Sequence, residues 1–198
     1  MALEIFEDKD LHIFDLGNVL YSVDARLTFA AFEALGMPHQ DIKVSNSHAA
    51  GGVFSLYCDG KVTTDEFYDG VRRACLIPNA TDNDIRQAWD AMLIGFRPGA
   101  LAAVRSLRQS GRKVALLSNC NDLHAQVCRA QYPGPGSFDD LFDGVFFSHE
   151  IGMSKPDPRT WQLVLRQMGV DAPRACFYDD SDINVRAALS LGIASRVV

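Results

Sequence analysis

The chain has 198 residues, with 19 basic and 25 acidic side chains, a formal net charge of −6 and 47% hydrophobic residues. That balance supports a folded globular chain rather than a disordered one, and with no run of basic residues it argues against nucleic acid as the main partner. No apolar stretch approaches the ~20 residues of a membrane-spanning helix, the acidic start MALEIFEDKD has no signal-peptide pattern, and five cysteines without C-x-x-C or zinc spacing read as free thiols of a reducing cytoplasm.

Leu11–Asp15 (LHIFD) reads as a short buried strand that stops at a sharp loop, Leu16-Gly17-Asn18. From about Ser22 to Phe96 no strand pattern is evident and helical periodicity dominates. Asp24–Leu35 places Leu27, Ala30, Ala31 and Ala34 on one side; Thr63-Thr64-Asp65-Glu66 fits a capping box, and Thr81 with Asp84 opens a similar helix. From Pro98 onward strands and helices alternate. A helix from Pro98 ends near Gly111, Val114–Leu117 is a strand, and a helix starts about Asp122. After a Gly/Pro-rich loop come the strand Gly144–Phe147, the helix Asp157–Met168, the strand Ala175–Tyr178, the helix Ile183–Leu191 and the strand Ile193–Val197. Strands separated by helices predict an α/β fold, a doubly wound parallel sheet with right-handed crossovers. The expected division is a core of residues 1–21 and 97–198 with an inserted α-helical domain at 22–96, hinged where the two segments join.

In such sheets ligands bind beyond the carboxyl ends of the strands. The first strand ends in Asp15 and the second in Ser118 and Asn119. The third is followed by His149, Glu150 and, after a loop, Lys155; the fourth ends in Asp179 and Asp180, with Asp182 just beyond. Alone, each is an ordinary turn, cap or surface residue. Together, in this order and at strand ends, they predict a site. Asp15, Asp179 and Asp180 packed at one rim would repel one another, and a hard cation such as Mg²⁺ held by carboxylate oxygens resolves that repulsion. Ser118, Lys155 and the backbone N–H groups of the loop after Asp15 then offer donors to an anion. Phosphate, bound between metal and lysine, satisfies both halves.

These residues resemble the haloacid dehalogenase superfamily. Its four motifs are similar to HIFDLGNVL with Asp15, VALLSN with Ser118, MSKPDP with Lys155 and FYDDSDIN with Asp179 and Asp180, from about residue 11 to the C-terminus, with 22–96 in the place of the helical cap. The resemblance implies a Rossmann-like core and a phosphatase in which Asp15 is the nucleophile and forms an aspartyl-phosphate. It implies Mg²⁺ held by Asp15, the Gly17 carbonyl, Asp179 and Asp180. Lys155, Ser118, Asn119 and the backbone of Leu16 and Gly17 would bind the phosphoryl group, with Lys155 also counted as catalytic.

One departure matters. Most phosphatases of the superfamily carry a second Asp, a general acid and base, two positions after the nucleophile; here Gly17 stands there. FDLGNVL, SNCNDLH and FYDDSDIN resemble the branch that includes α-D-glucose-1-phosphate phosphatases, which implies a sugar phosphate whose anomeric oxygen leaves without strong protonation. His48 and His124 are candidates to stand in for the acid. Two alternatives are a non-catalytic ligand-binding protein and a metal-independent 2-haloacid dehalogenase. The insertion is expected to close over the strand ends and favour small substrates. Its stretch Gly51–Tyr57, with Phe54 and Tyr57, is the candidate specificity element. The expected partner is a small phosphorylated molecule, with no nucleic acid and no membrane, on a monomer or homodimer.

Overall fold

The strand Leu11–Phe14 (β1) is buried along its whole length and carries the molecule's organisation. A computed structural model describes residues 4–39 and 52–198. β1 pairs in parallel on one side with Lys113–Ser118 (β4) and on the other with Ala175–Asp179 (β6). Gly144–Phe147 (β5) and Ala194–Val197 (β7) extend the two sides, so the five-stranded parallel sheet runs β5-β4-β1-β6-β7. The reversal of winding direction falls at β1, which is where an open sheet of this kind leaves a crevice.

Side chains alternate along each strand. Phe14, Val114, Leu116, Cys176 and Tyr178 face one layer, with Leu101 and Val104 of α5 (Pro98–Gln109) and Ala125 and Cys128 of α6 (Asp122–Gln131). Leu11, Ile13, Ala115, Leu117 and Phe177 face the other, with Trp161 and Val164 of α8 (Pro158–Met168) and Ala188 of α9 (Asp182–Ser190). The doubly wound α/β architecture expected from the alternating pattern is therefore present, with a helical insertion after β1. No helix of the described residues is long and apolar enough to cross a membrane, and all five cysteines are free thiols.

The insertion carries α1 (Ala25–Ala34), α2 (Val53–Cys58), α3 (Thr64–Ala74) and α4 (Asp82–Asp90) around its own core of Phe32, Phe54, Phe67 and Trp89. Both capping boxes form: Thr63 accepts from the Glu66 N–H while Glu66 reaches back, and Thr81 does the same with Asp84. The reading of 22–96 as strand-free is corrected. Tyr21–Val23 (β2) and Leu93–Phe96 (β3) pair antiparallel, zipping the two joins of the insertion together. Each is too short to show a period of two, and neither is a strand without its partner some 70 residues away. Two further helices escaped the pattern: α2 has no side-chain cap at Gly52, and α7 (Ser148–Ile151) is a single turn.

Candidate active site

After β1 the chain makes one tight turn. The N–H groups of Leu20 and Tyr21 both donate to the Leu16 carbonyl at 2.9 Å, and that of Asn18 donates to the Tyr21 carbonyl at 2.7 Å. Asn18 takes the left-handed conformation (φ 55°), which Asn tolerates better than most residues. The turn leaves Asp15, Leu16, Gly17 and Asn18 along one wall of a cavity of about 600 Å³, opposite Ser118, Asn119, Lys155 and Asp180. All of these lie at the carboxyl ends of β1, β4 and β6 or in the loops that follow β5 and β6.

Lys155 is the centre of the charge arrangement. Its side chain is 1% exposed, and its Nζ lies 2.8 Å from Asp15 Oδ1 and donates to Asp179 Oδ2 at 2.5 Å. Burial works against the ammonium, but the two carboxylates outweigh it and hold its pKa above the ordinary lysine value. Burial pushes Asp15 up to about 6; the Lys155 charge opposes the rise and the neighbouring Asp179 adds to it. Asp179 is saturated by protein donors, accepting also from the Ser181 N–H at 2.8 Å and from Asn184 Nδ2 at 3.1 Å. Asp180 is exposed and accepts from Asn18 Nδ2 at 3.1 Å.

Carboxylate oxygens of Asp15, Asp179 and Asp180 lie within 4.8 Å of one another. Three carboxylates against one ammonium leave an excess of negative charge beside a buried nucleophile-type aspartate. Hard oxygen donors with uncompensated charge are what a small divalent cation requires. The donor set therefore fits a magnesium-type ion, with Gly17 at the same wall of the cavity. Asn119 has another task. Its Nδ2 donates to the Lys155 carbonyl and its Oδ1 accepts the Lys155 N–H, both at 2.8 Å, so its amide clamps the lysine loop and leaves one Nδ2 hydrogen and the backbone N–H for an anion.

The family follows from a profile described as haloacid dehalogenase-like hydrolase, which matches residues 9–192. The chain belongs to that family. It is 27% identical over 182 residues to D-ribitol-5-phosphate phosphatase of Bacteroides thetaiotaomicron, covering 91% of this chain and 87% of the relative. It is 28% identical over 186 residues to a sesquiterpene phosphatase of Aspergillus oryzae, covering 91% and 85%. Among solved structures, a haloacid dehalogenase family enzyme of B. thetaiotaomicron in complex with magnesium and inorganic phosphate superimposes with a TM-score of 0.85, at 31% identity, over 96% of this chain and 93% of that one.

Several side chains expected at the site lie elsewhere. His149 and Glu150 do not join the cavity: His149 Nδ1 contacts the Cys120 carbonyl at 2.6 Å and Glu150 pairs with Arg129. Asp182 pairs with Arg186 on the surface of α9. Tyr57 does not reach the cavity either; it stacks on Phe67 at 4.2 Å and its hydroxyl meets Thr64, so an aromatic on α2 went into the insertion's own core. Phe54 belongs to the same core yet also lines the cavity. His124 lines it too, but its Nε2–H points at the Trp89 carbonyl (3.1 Å) and burial lowers its pKa to about 4, so at neutral pH it is uncharged and holds no proton for a leaving group. His48 and Gly51 lie outside the described residues.

The sequence reading also missed residues. Trp89, Met92, Leu93 and Val23 line the cavity, and nothing in their own segments signals that they face it. Ser148 joins the insertion to the sheet, its Oγ donating to the Cys58 carbonyl at 2.5 Å and accepting the Cys120 N–H at 2.9 Å. Asn18 was legible only as a turn residue, although it ties the loop after β1 to Asp180.

Proposed function

We propose that the protein is a Mg²⁺-dependent phosphomonoester hydrolase that acts on a small phosphorylated metabolite through an aspartyl-phosphate on Asp15. The observation that carries this reading is Lys155 Nζ at 2.8 Å from Asp15 Oδ1, beside the Asp179–Asp180 pair in one cavity. The magnesium complex of the related bacterial enzyme and the phosphatase names of the relatives support it. The clustered carboxylates favour it over a metal-independent dehalogenase, and the free thiols support a reducing, cytoplasmic setting.

Asp15 attacks phosphorus, an Asp15–phosphorus bond forms, and the ester oxygen leaves with its electron pair. Water then cleaves the acyl phosphate, returning the Asp15 carboxylate and inorganic phosphate. Lys155 holds Asp15 ionised and, with Ser118 and the backbone of Leu16 and Gly17, binds the phosphoryl oxygens. Asn119 and Asn184 act as positioning residues, fixing Lys155 and Asp179. Asp15, Asp180 and the Gly17 carbonyl, with Asp179 beside them, would hold magnesium, which when bound would supply neutralisation of phosphoryl charge.

Gly17 offers no acid to the departing oxygen. Two leaving groups tolerate that loss because they stabilise negative charge themselves: the anomeric oxygen of a sugar, as the resemblance of FDLGNVL implies, and a phenolic oxygen. The names of the relatives span a polyol phosphate and a terpenoid one, so they support both a polar and an apolar skeleton.

The test is a panel of phosphomonoesters with Mg²⁺, run beside Asp15→Asn. Turnover should fall at least ~10³-fold in the variant, which keeps the shape of the nucleophile but not its charge, and EDTA should abolish it. Unchanged activity in the variant would falsify the covalent route. Chloride release from a 2-haloacid in EDTA would favour the dehalogenase alternative, and tight phosphate-ester binding with no turnover would favour a binding protein.

A further inference from the structure

The cavity has two unlike ends. Beside Asp15, Lys155 and Asp180 it is charged. Beyond them the wall is Phe54, Trp89, Met92, Leu93 and Val23 on the insertion side, together with Ile183 of α9, which is exposed. At about 600 Å³ the space is far more than a phosphate group fills.

Most amide, imidazole and phenol groups on the wall do little to relieve that apolar character, because they are committed to the scaffold; the Ser118 and Ser181 hydroxyls, beside the charged end, are the exceptions. Asn18 accepts from Val23 and donates to Asp180. Asn119 is doubly bonded to Lys155. Asn121 accepts the His124 N–H and its Nδ2 faces Cys58 Sγ; Asn184 donates to Asp179. The Tyr21 hydroxyl donates to Gln131, and His124 Nε2 to the Trp89 carbonyl. A polyol bound here would have to surrender water from each hydroxyl for the few donor and acceptor sites these groups leave over, which is costly. An apolar skeleton would gain by covering the wall.

Resting on the phosphatase reading above, we infer that the substrate's leaving group is apolar and aromatic: a monophosphate ester of a phenol, rather than of a polyol. Phe54 and Trp89 border the cavity while packed on each other and, for Trp89, on His124, so they offer an aryl group apolar contact rather than a free stacking face. A phenolic oxygen, with a pKa of about 10, also departs without the acid that Gly17 lacks. In that step the oxygen–phosphorus bond breaks, the phenolate takes the electron pair, and a water proton neutralises it.

The test separates pocket from leaving-group chemistry. 2-Phenylethyl phosphate and D-ribitol 5-phosphate are both primary alkyl esters, so they make equal demands on an acid. With Mg²⁺, kcat/KM should favour the phenylethyl ester by about tenfold or more, mainly through KM. Calorimetric binding of the two esters to Asp15→Asn should show the same preference, and this readout does not depend on turnover. Met92→Asn and Leu93→Asn, at half-buried wall positions, should erase the preference while inhibition by inorganic phosphate stays unchanged; Met92→Leu should retain it. Equal or tighter binding of the ribitol ester, or loss of phosphate inhibition in step with loss of the preference, overturns the inference. Turnover of the ribitol ester alone would do so while leaving the phosphatase reading standing. Absence of turnover for every ester, with the binding preference present, would overturn the phosphatase reading and leave the pocket assignment standing.

Discussion

The strand-end rim and the helical insertion meet at one cavity but are built on opposite terms. At the rim, every charged group is held by another that lies far away in sequence: Lys155 by Asp15, Asp179 and Asn119, and Asp180 by Asn18. In the insertion, order comes from local devices and apolar packing: two capping boxes and a cluster of aromatic rings centred on Phe67. The first is mutually dependent, so loss of one member exposes the others. The second is redundant, so loss of one member is absorbed. This difference is why chemistry can be concentrated in the rim while the insertion is left to shape the wall.

The largest effect should come from breaking the rim. Lys155→Met leaves Asp15 and Asp179 buried without their cation, and removing one partner of a buried pair costs about 3–5 kcal/mol. Denaturant unfolding of the chelated protein should show that loss, with partial recovery on adding Mg²⁺; unchanged stability in EDTA would mean the three groups are not coupled. Activity should fall with it.

Acid should strike next. His124, between the insertion and the sheet, and His12, within the sheet, both have pKa values lowered to about 4 by burial. An unfolded histidine takes up its proton near 6.5, so between about 6.5 and 4 the unfolded state binds more protons than the folded one. The stabilisation is complete above pH 6.5 and is lost as pH falls towards 4, by up to ~3 kcal/mol for each histidine. Stability measured across that range should rise with pH, and His124→Gln should flatten part of the slope. A slope identical in the variant would contradict the neutral, buried assignment.

Gly17→Asp sharpens the comparison by adding to the rim what it lacks. A Cβ at Gly17 would sit 4.0 Å from Asp15 Oδ2 and 3.9 Å from Val23 Cγ2, so there is room for a side chain. Turnover of primary alkyl phosphates should rise by roughly 10²-fold, the lower end of general acid–base assistance, and aryl esters should gain little. Equal gains on both would mean that the residue acts through something other than protonation. The smallest effect belongs to the insertion: Thr63→Ala removes one cap of α3, costs about 1 kcal/mol, and should leave kcat/KM unchanged. A large loss of activity from that change would show that the insertion is less independent than its local bonding implies.

Much of this was legible from the chain alone. β1, β4, β5 and β6 were visible as apolar runs, and both capping boxes were visible because each is complete within four residues. Asp15, Ser118, Lys155, Asp179 and Asp180 stood out because each terminates or follows such a run, and the structure brings them to one cavity or against one another. β2 and β3 did not stand out, since a strand of three or four residues has no period to detect until its partner is beside it. Tyr57 and Phe54 are three residues apart on one short helix, yet only Phe54 reaches the cavity. No spacing rule separates an aromatic that packs inward from one that also borders a ligand space.

By itself, then, the sequence determined the doubly wound architecture, the helical insertion after the first strand and the family, because strand and helix periodicities and strand-end residues are written in short consecutive segments. The tertiary structure decided the rest. It set which amides are spent on Lys155, Asp179 and Asp180, which histidines are held neutral, and which apolar side chains wall the cavity. Those properties are set by contacts between residues far apart in the chain, where burial and hydrogen-bond partners, not residue type, determine what a side chain is free to do.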